Sequence, residues 1–426
     1  MQRSLVGSEM CIRDRLGIST VLTGNEWIGW MNDLIIFVLL VGILLHNFAQ
    51  DTGWNFGKYL AEIVAAVCGA VCFIGKPFAD GGAFYRSKKT RESHAGWYVL
   101  IGICAAVPCL MVLVLLLMSA DMVFADLLVR FAGVFRFPVK LLRILLMLVF
   151  GFLSSYCGVR YVQKHAADIK PSAGKTAEPL IAIAFTAPIA VLYLLFSAIQ
   201  IVYLFIGNMQ LPAGVTYAEY ARRGFFQLLF VCVLNLAAVL SIQSYFKENR
   251  VLKALLLAIS GCTLIMTASS ACRMLLYIRA YQLTFLRVSV LVALAVIALL
   301  MAGVIAKIVK PQFPLFRYGF VLVGAVYLVF SFSHVDYFIA AYNLTHTSWE
   351  ASGEETVDYS YLYTLSTDAA PAIEKYAGKS GAADYRKQGW YQLYCEANEE
   401  ALNETGLRTY NVSHAVAKQL LMEDNR

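Results

Sequence analysis

Three arginines with no acid beside them, Arg273, Arg279 and Arg287, lie between two long apolar runs. A guanidinium presents a planar fork of donors that grips a carboxylate or phosphate through two parallel bonds, which an ammonium cannot do. If the chain stays helical there, Arg273, Tyr277, Thr284 and Arg287 fall within about 40° of one direction at 100° per residue, and Arg279 points elsewhere. Such arginines either snorkel to lipid phosphates or form a buried cationic cluster that pairs with acids or binds an anionic ligand. Acids able to pair with them are Asp121, after the run Leu-Leu-Met-Ser-Ala, Glu219, beside Arg222 and Arg223, and Asp336. In an enzyme the arginines would hold an anionic head group and one of these acids would serve as general base. The simpler account is a hydrogen-bonded belt at a membrane interface, where tyrosine is normally enriched.

Other chemistry is not signalled. The chain has no G-x-x-x-x-G-K-[ST] loop for phosphates, no H-E-x-x-H and no G-x-S-x-G. His334 lies close to Asp336, but two ligands do not make a metal site. No metal, no cofactor and no nucleic-acid partner are expected. Eight of the ten cysteines (Cys68, Cys72, Cys104, Cys109, Cys157, Cys232, Cys262, Cys272) lie in apolar segments, and only Cys11 and Cys395 lie outside. Without a C-x-x-C pair they read as small packing residues.

The elements that must position these side chains follow from composition. Hydrophobic residues make up 59% of the chain and charged residues 15%, with a mean hydropathy of +0.64. That balance implies lipid-facing surface, and backbone in lipid must satisfy its own hydrogen bonds. The expected fold is all-α and polytopic, since a barrel would show short alternating strands. Nine spans are predicted, near Leu34–Phe48, Tyr59–Gly75, Trp97–Met118, Val139–Gly158, Leu180–Ile206, Gly224–Gln243, Leu252–Cys272, Val288–Ile308 and Leu315–Phe332. Asp121–Phe137 reads as an interfacial helix.

Loop charge sets the orientation. Basic residues collect in Lys76–Gly96, Arg160–Glu178, Phe246–Lys253 and Lys307–Arg317. These loops alternate through nine spans and place the N-terminus inside and the C-terminus outside a bacterial cytoplasmic membrane. After Leu344 the charge reverses: Thr345–Arg426 has seven Lys/Arg and thirteen Asp/Glu, 7 − 13 = −6, in a chain of net +7. Trp390, Leu393, Tyr394, Ala397 and Ala401 form a helical stripe there, Gly406 can stop that helix, and Asn411 or Ser413 can cap the next. The predicted domains are therefore a leader 1–15, a transmembrane helical domain 16–344 and an acidic helical outer module 345–426. The leader, MQRSLVGSEMCIRDR, closely resembles a translated sequencing-adapter string and lacks the apolar core of a signal peptide. If it is foreign, earlier spans are missing with the true N-terminus; the alternative is a native basic leader.

Five ordered segments, LLMSADMVF (Leu116–Phe124), TYAEYARRGFFQLL (Thr216–Leu229), RMLLYIRAYQLTFLR (Arg273–Arg287), VDYFIAAYNL (Val335–Leu344) and VDYSYLYTLSTDAAP (Val357–Pro371), resemble a bacterial integral-membrane family. It is catalogued as a domain of unknown function, of the 4173/4153 type. Gln282 departs from the family pattern, which has Gly between the Tyr and the Leu and so a tight turn. The resemblance implies a bacterial multi-span protein and supplies no reaction. All five segments fall on the predicted outer face. Three functions fit: sensing or binding there without catalysis, with an envelope or signalling partner beside the bilayer; transport of a small solute, for which Gln200, Asn235 and Gln243 are the few mid-span polar groups and no internal repeat is visible; or modification of lipid or envelope material by the Arg/acid cluster.

Overall fold

The computed structural model describes residues 2–49, 54, 56–77, 79–81, 139–165, 175–202, 225–346, 348–349, 355–356, 359, 361–377, 386, 388–403, 406 and 409–423, with single positions between 102 and 124. The described elements are α1 (Gln2–Leu22), α2 (Glu26–Phe48), α3 (Phe56–Cys72), α4 (Val139–His165), α5 (Pro179–Gln200), α6 (Phe225–Tyr245), α7 (Arg250–Tyr281), α8 (Phe285–Val309), α9 (Leu315–Phe332) and α10 (Val335–Thr345). There follow a two-residue strand pair, Ser348–Trp349 with Glu355–Thr356, and α11 (Ala370–Tyr376), α12 (Gly389–Ala397), α13 (Glu399–Asn403) and α14 (Val412–Lys418). Contacts divide the chain into two compact units, Met1–Leu40 with Ser172–Arg426, and Val41–Pro171.

Seven described helices are long and apolar enough to cross a membrane: α2, Ile144–His165 of α4, α5, α6, Arg250–Arg279 of α7, α8 and α9. Each overlaps one of the predicted spans. The prediction Tyr59–Gly75 meets α3, which at 17 residues is about 26 Å long and falls short of a core of about 30 Å. Most of Trp97–Met118 and of Asp121–Phe137 lies outside the described residues.

In the larger unit α7 packs against α5, α6 and α8. The reason is side-chain size. The buried face of α5 is Ala182, Thr186, Ala190, Ser197 and Gln200, and α7 answers with buried Ser260, Thr263, Thr267 and Ser269. Lipid offers apolar side chains no preference for one another, so close backbone approach and buried hydrogen bonds hold such helices together. The mid-span polar groups serve that purpose. Tyr193 donates to Asn235 (2.8 Å), Asn235 to Thr263 (3.0 Å) and Ser269 to Gln200 (2.6 Å). The outer faces stay apolar, as Leu180, Phe185, Val191, Leu195 and Phe230 show. At one end of this bundle, Lys247 pairs with Glu178, and Lys175 and Lys253 both pair with Glu248. The two lysines hold the Glu248 carboxyl down to about 2.

The smaller unit joins α3 to α4 around Leu45, Ala66 and Val162. Asp80 accepts from Tyr156 (2.9 Å) and Arg160 (2.7 Å) there.

The tail helices bury a face made of Trp390, Tyr391, Tyr394, Asn398 and Leu402. The predicted stripe is therefore turned by about one position: Leu393 is 49% exposed, and Ala397 is exposed as well. A break at Asn398 between α12 and α13 lets Leu402 reach the core where a straight helix would have used Ala401. That core is shared, because Leu362, Ile373 and Tyr394 cluster with Ile339 and Leu344 of α10 and Ile28 of α2.

Candidate functional site

Asp336 opens α10 and is only 2% exposed. Its Oδ2 accepts from Asn25 Nδ2 (2.9 Å), Ser366 Oγ (2.6 Å) and Ser366 N (3.2 Å). Its Oδ1 is buried without a hydrogen-bond partner. Burial pushes the Asp336 carboxyl up, against the opposing pull of those donors, and the nearby Asp368 charge pushes the same way.

Asp368 lies across the joint with a fully buried side chain. It accepts from Thr23 Oγ1 (2.6 Å) and Gly24 N (2.9 Å), and His334 Nδ1 stands 3.4 Å away. Burial alone would raise its pKa, but His334, the Gly24 amide and the Ser413 and Thr23 hydroxyls outweigh it and hold the carboxyl below its ordinary value. His334 is held up, first by its bond to Asp368.

Local sequence explains why these side chains meet. Thr23-Gly24-Asn25 is the turn between α1 and α2, and Asn25 Oδ1 accepts from Ile28 N at the start of α2. His334, at φ 46° and ψ 60°, turns the chain between α9 and α10. Ser366 caps the turn holding Asp368, and Tyr394 donates to the Ser366 carbonyl (2.9 Å). Asn411 caps α14 with its oxygen, as expected, while its amide donates to the Thr20 and Thr23 carbonyls that end α1. The helix ends and the tail are thus stitched together by buried polar bonds.

A second cluster sits at the α7–α8 turn. The helix stops at Tyr281, so Arg287 does not continue the line from Arg273. Instead α8 folds back and brings the Arg287 guanidinium to 4.3 Å from the Tyr277 ring centroid, where it donates to the Tyr281 and Gln282 carbonyls. Gln282 has φ 62° and ψ −175°, a conformation natural to glycine. The tight turn is therefore present despite the departure from the family pattern. Gln282 Nε2 donates to the His346 carbonyl (2.8 Å), and Asn343 exchanges bonds with Leu283 N and O (2.9 Å each). Arg273 is buried and Arg279 exposed. The two clusters meet at Tyr361, whose hydroxyl accepts from Phe285 N (3.0 Å). Burial raises its pKa; the Phe285 amide lowers it, Asp336 raises it and Arg287 lowers it.

Among the sequence-predicted site residues, Tyr277 and Arg287 are in contact, and Asp336 belongs to the tail joint. Asp121 lies in the other unit, where its carboxylate accepts from Phe124 N (3.3 Å). Glu219, Arg222 and Arg223 lie outside the described residues. Thr23, Gly24, Asn25, Ser366 and Asp368 were not singled out. The one available signal was Ser-Thr-Asp-Ala-Ala-Pro, a turn cap followed by a helix-opening proline. No group of three or more His, Cys, Asp or Glu side chains is gathered to hold a metal among the described residues.

No curated protein and no solved structure matches the chain. A family model does match it over residues 15–376, most of its length, ending within the tail before α12. The chain is an integral membrane protein belonging to the family described as domain of unknown function (DUF4153).

Proposed function

We propose that this protein senses or binds at the outer face of a bacterial cytoplasmic membrane without catalysis, with its acidic tail docked over that face. The observation that carries this is the joint just described, in which the tail residues Ser366, Asp368 and Asn411 bond to the end of α1 and the start of α10. An enzyme's general base must reach a substrate; Asp336, enclosed by Asn25 and Ser366, serves the joint instead. Gln200 and Asn235, two of the three mid-span polar groups a transporter would draw on beside Gln243, are spent on helix contacts. Orientation is supported by the basic end of the bundle, where Lys175, Lys247 and Lys253 lie at the other end of α7 from the Tyr281 turn and the tail. Exposed Trp27 and Trp30 in the first turns of α2 suit the lipid–water boundary on the tail side.

We assign the outer working face to Arg273, Tyr277, Arg279 and Arg287 at the α7–α8 turn, beside the joint that holds Asp336. We read 16–344 as the membrane domain and 345–426 as the outer module. Partners are lipid and an envelope or signalling protein. Cysteine labelling in intact cells tests the face. Arg279→Cys is expected to react with a membrane-impermeant maleimide from outside, and Lys310→Cys only after lysis; the reverse pattern overturns the orientation and the outer-face reading with it.

A further inference from the structure

We propose that the joint between the tail and the helix ends is a proton-operated clasp, closed at mildly acid pH and loosened as the pH rises. The geometry is that of a buried carboxylate shared across the joint. Asp368 belongs to the tail, and the donors it accepts from are Thr23 and Gly24 of the α1–α2 turn and His334 at the head of α10. Only the cationic form of His334 matches the negative charge of a side chain that has no access to water. His334 is itself 43% exposed, so it exchanges protons with solvent while its partner cannot.

The second half of the clasp is Asp336. Its unpartnered Oδ1, 2% residue exposure and proximity to Asp368 all disfavour the charged form. A neutral carboxyl keeps its bonds from Asn25 Nδ2 and Ser366 while removing the repulsion between the two acids. Among the described residues Asp368 acts directly on His334, and beyond it lie Asp336, with Tyr394 of α12 and Tyr361 of the tail, which both feel Asp336. His414 of α14 stands by Gly24, and Glu26, the first acid of α2, is exposed.

The direction follows from linkage. His334 is raised from its ordinary 6.5, so its contribution is complete below that value and is lost as pH rises through the raised one. Asp336 is raised as well and acts in the same sense. Asp368 is lowered from 3.8, so its contribution is present above that value and is lost only as pH falls through the lowered one. The clasp is therefore tightest just above the Asp368 transition and loosens as pH rises through the Asp336 and then the His334 transitions.

Amide hydrogen exchange on the full-length protein in lipid nanodiscs, corrected for the chemical exchange rate, reads the clasp directly. Between pH 6 and pH 8.5 the protection of 361–377 and 389–403 is expected to fall by roughly 3- to 10-fold, with α8 unchanged. His334→Lys, a permanent cation, keeps the tail protected to pH 8.5, whereas His334→Gln lowers protection at pH 6 and removes the pH dependence. Wild-type protection that is flat from pH 6 to 8.5 overturns the proposal. So does a His334→Gln protein that keeps the wild-type slope. Should His334→Gln not fold, the wild-type and His334→Lys profiles decide alone: identical slopes overturn the clasp. The result is independent of which side of the membrane the tail occupies, so it and the labelling experiment fail separately.

Discussion

Gly24 leaves no room for a side chain. A methyl group there would collide with Thr367 Oγ1 and crowd Ser413 Oγ at 3.1 Å and the His414 ring at 3.3 Å, in a joint where each hydroxyl already has a partner. Gly24→Ala is expected to destabilise the docked tail by about 1–3 kcal/mol through overpacking, seen as a lower unfolding midpoint in detergent. Gln282 poses the opposite case, a side chain on a backbone suited to glycine. That conformation costs about 1–3 kcal/mol for a non-glycine residue, and the amide bond to His346 returns about 1 kcal/mol. Gln282→Gly should therefore stay within about 1 kcal/mol of wild type, while Gln282→Ala keeps the strain, loses the bond and falls below the glycine variant by about 1–3 kcal/mol. Equal midpoints for the two variants would show that the turn is not strained.

At the scale of elements, Asn411 links two helices that are far apart in sequence. Its oxygen caps α14 through Ser413 N (2.8 Å) and its amide donates to Thr23 O (2.6 Å) at the end of α1. A lost cap costs about 1 kcal/mol, and the stranded α1 carbonyl adds a cost of similar size. Asn411→Ala should thus loosen α14 by about 2 kcal/mol in hydrogen exchange, while Asn411→Asp, which keeps the cap oxygen and loses the donor, should recover about half. The cap itself was legible from sequence, since Asn before an apolar turn has a local mechanism. Its second bond was not, because nothing local to residue 411 specifies the end of α1. The tail stripe shows the same limit. Helical spacing selected Leu393 and Ala397, but the break at Asn398 and the two-sided burial of the tail put Tyr391 and Leu402 inside instead.

For the whole molecule the acid side of the pH profile is set by Asp368. Tail protection is expected to hold down to the ordinary carboxylate value of 3.8 and to be lost only as pH falls further, through the lowered value of this carboxylate. Asp368→Asn should weaken docking throughout and abolish that limb; an unchanged acid limb would place its origin elsewhere. At the other end of the bundle, Glu248 stays ionised to about 2, so its pairs with Lys175 and Lys253 persist on acidification to that value. Those pairs are well exposed and contribute little stability on their own.

Sequence by itself determined that this is a helical membrane protein, where most of its spans run, and that its tail is acidic with a helix cap at Asn411 or Ser413, of which the structure uses Asn411. Those features are local: a run of apolar residues must be a helix in lipid because its backbone has no other hydrogen-bond partner. Tertiary structure alone decided what the tail holds. Thr23 and Asp368 are 345 positions apart, and the bond between them depends on five helix ends arriving at one place. Sequence grouped Asp336 with the arginines of the α7–α8 turn. Burial and the donors around it assign this acid instead to the joint that fastens the tail.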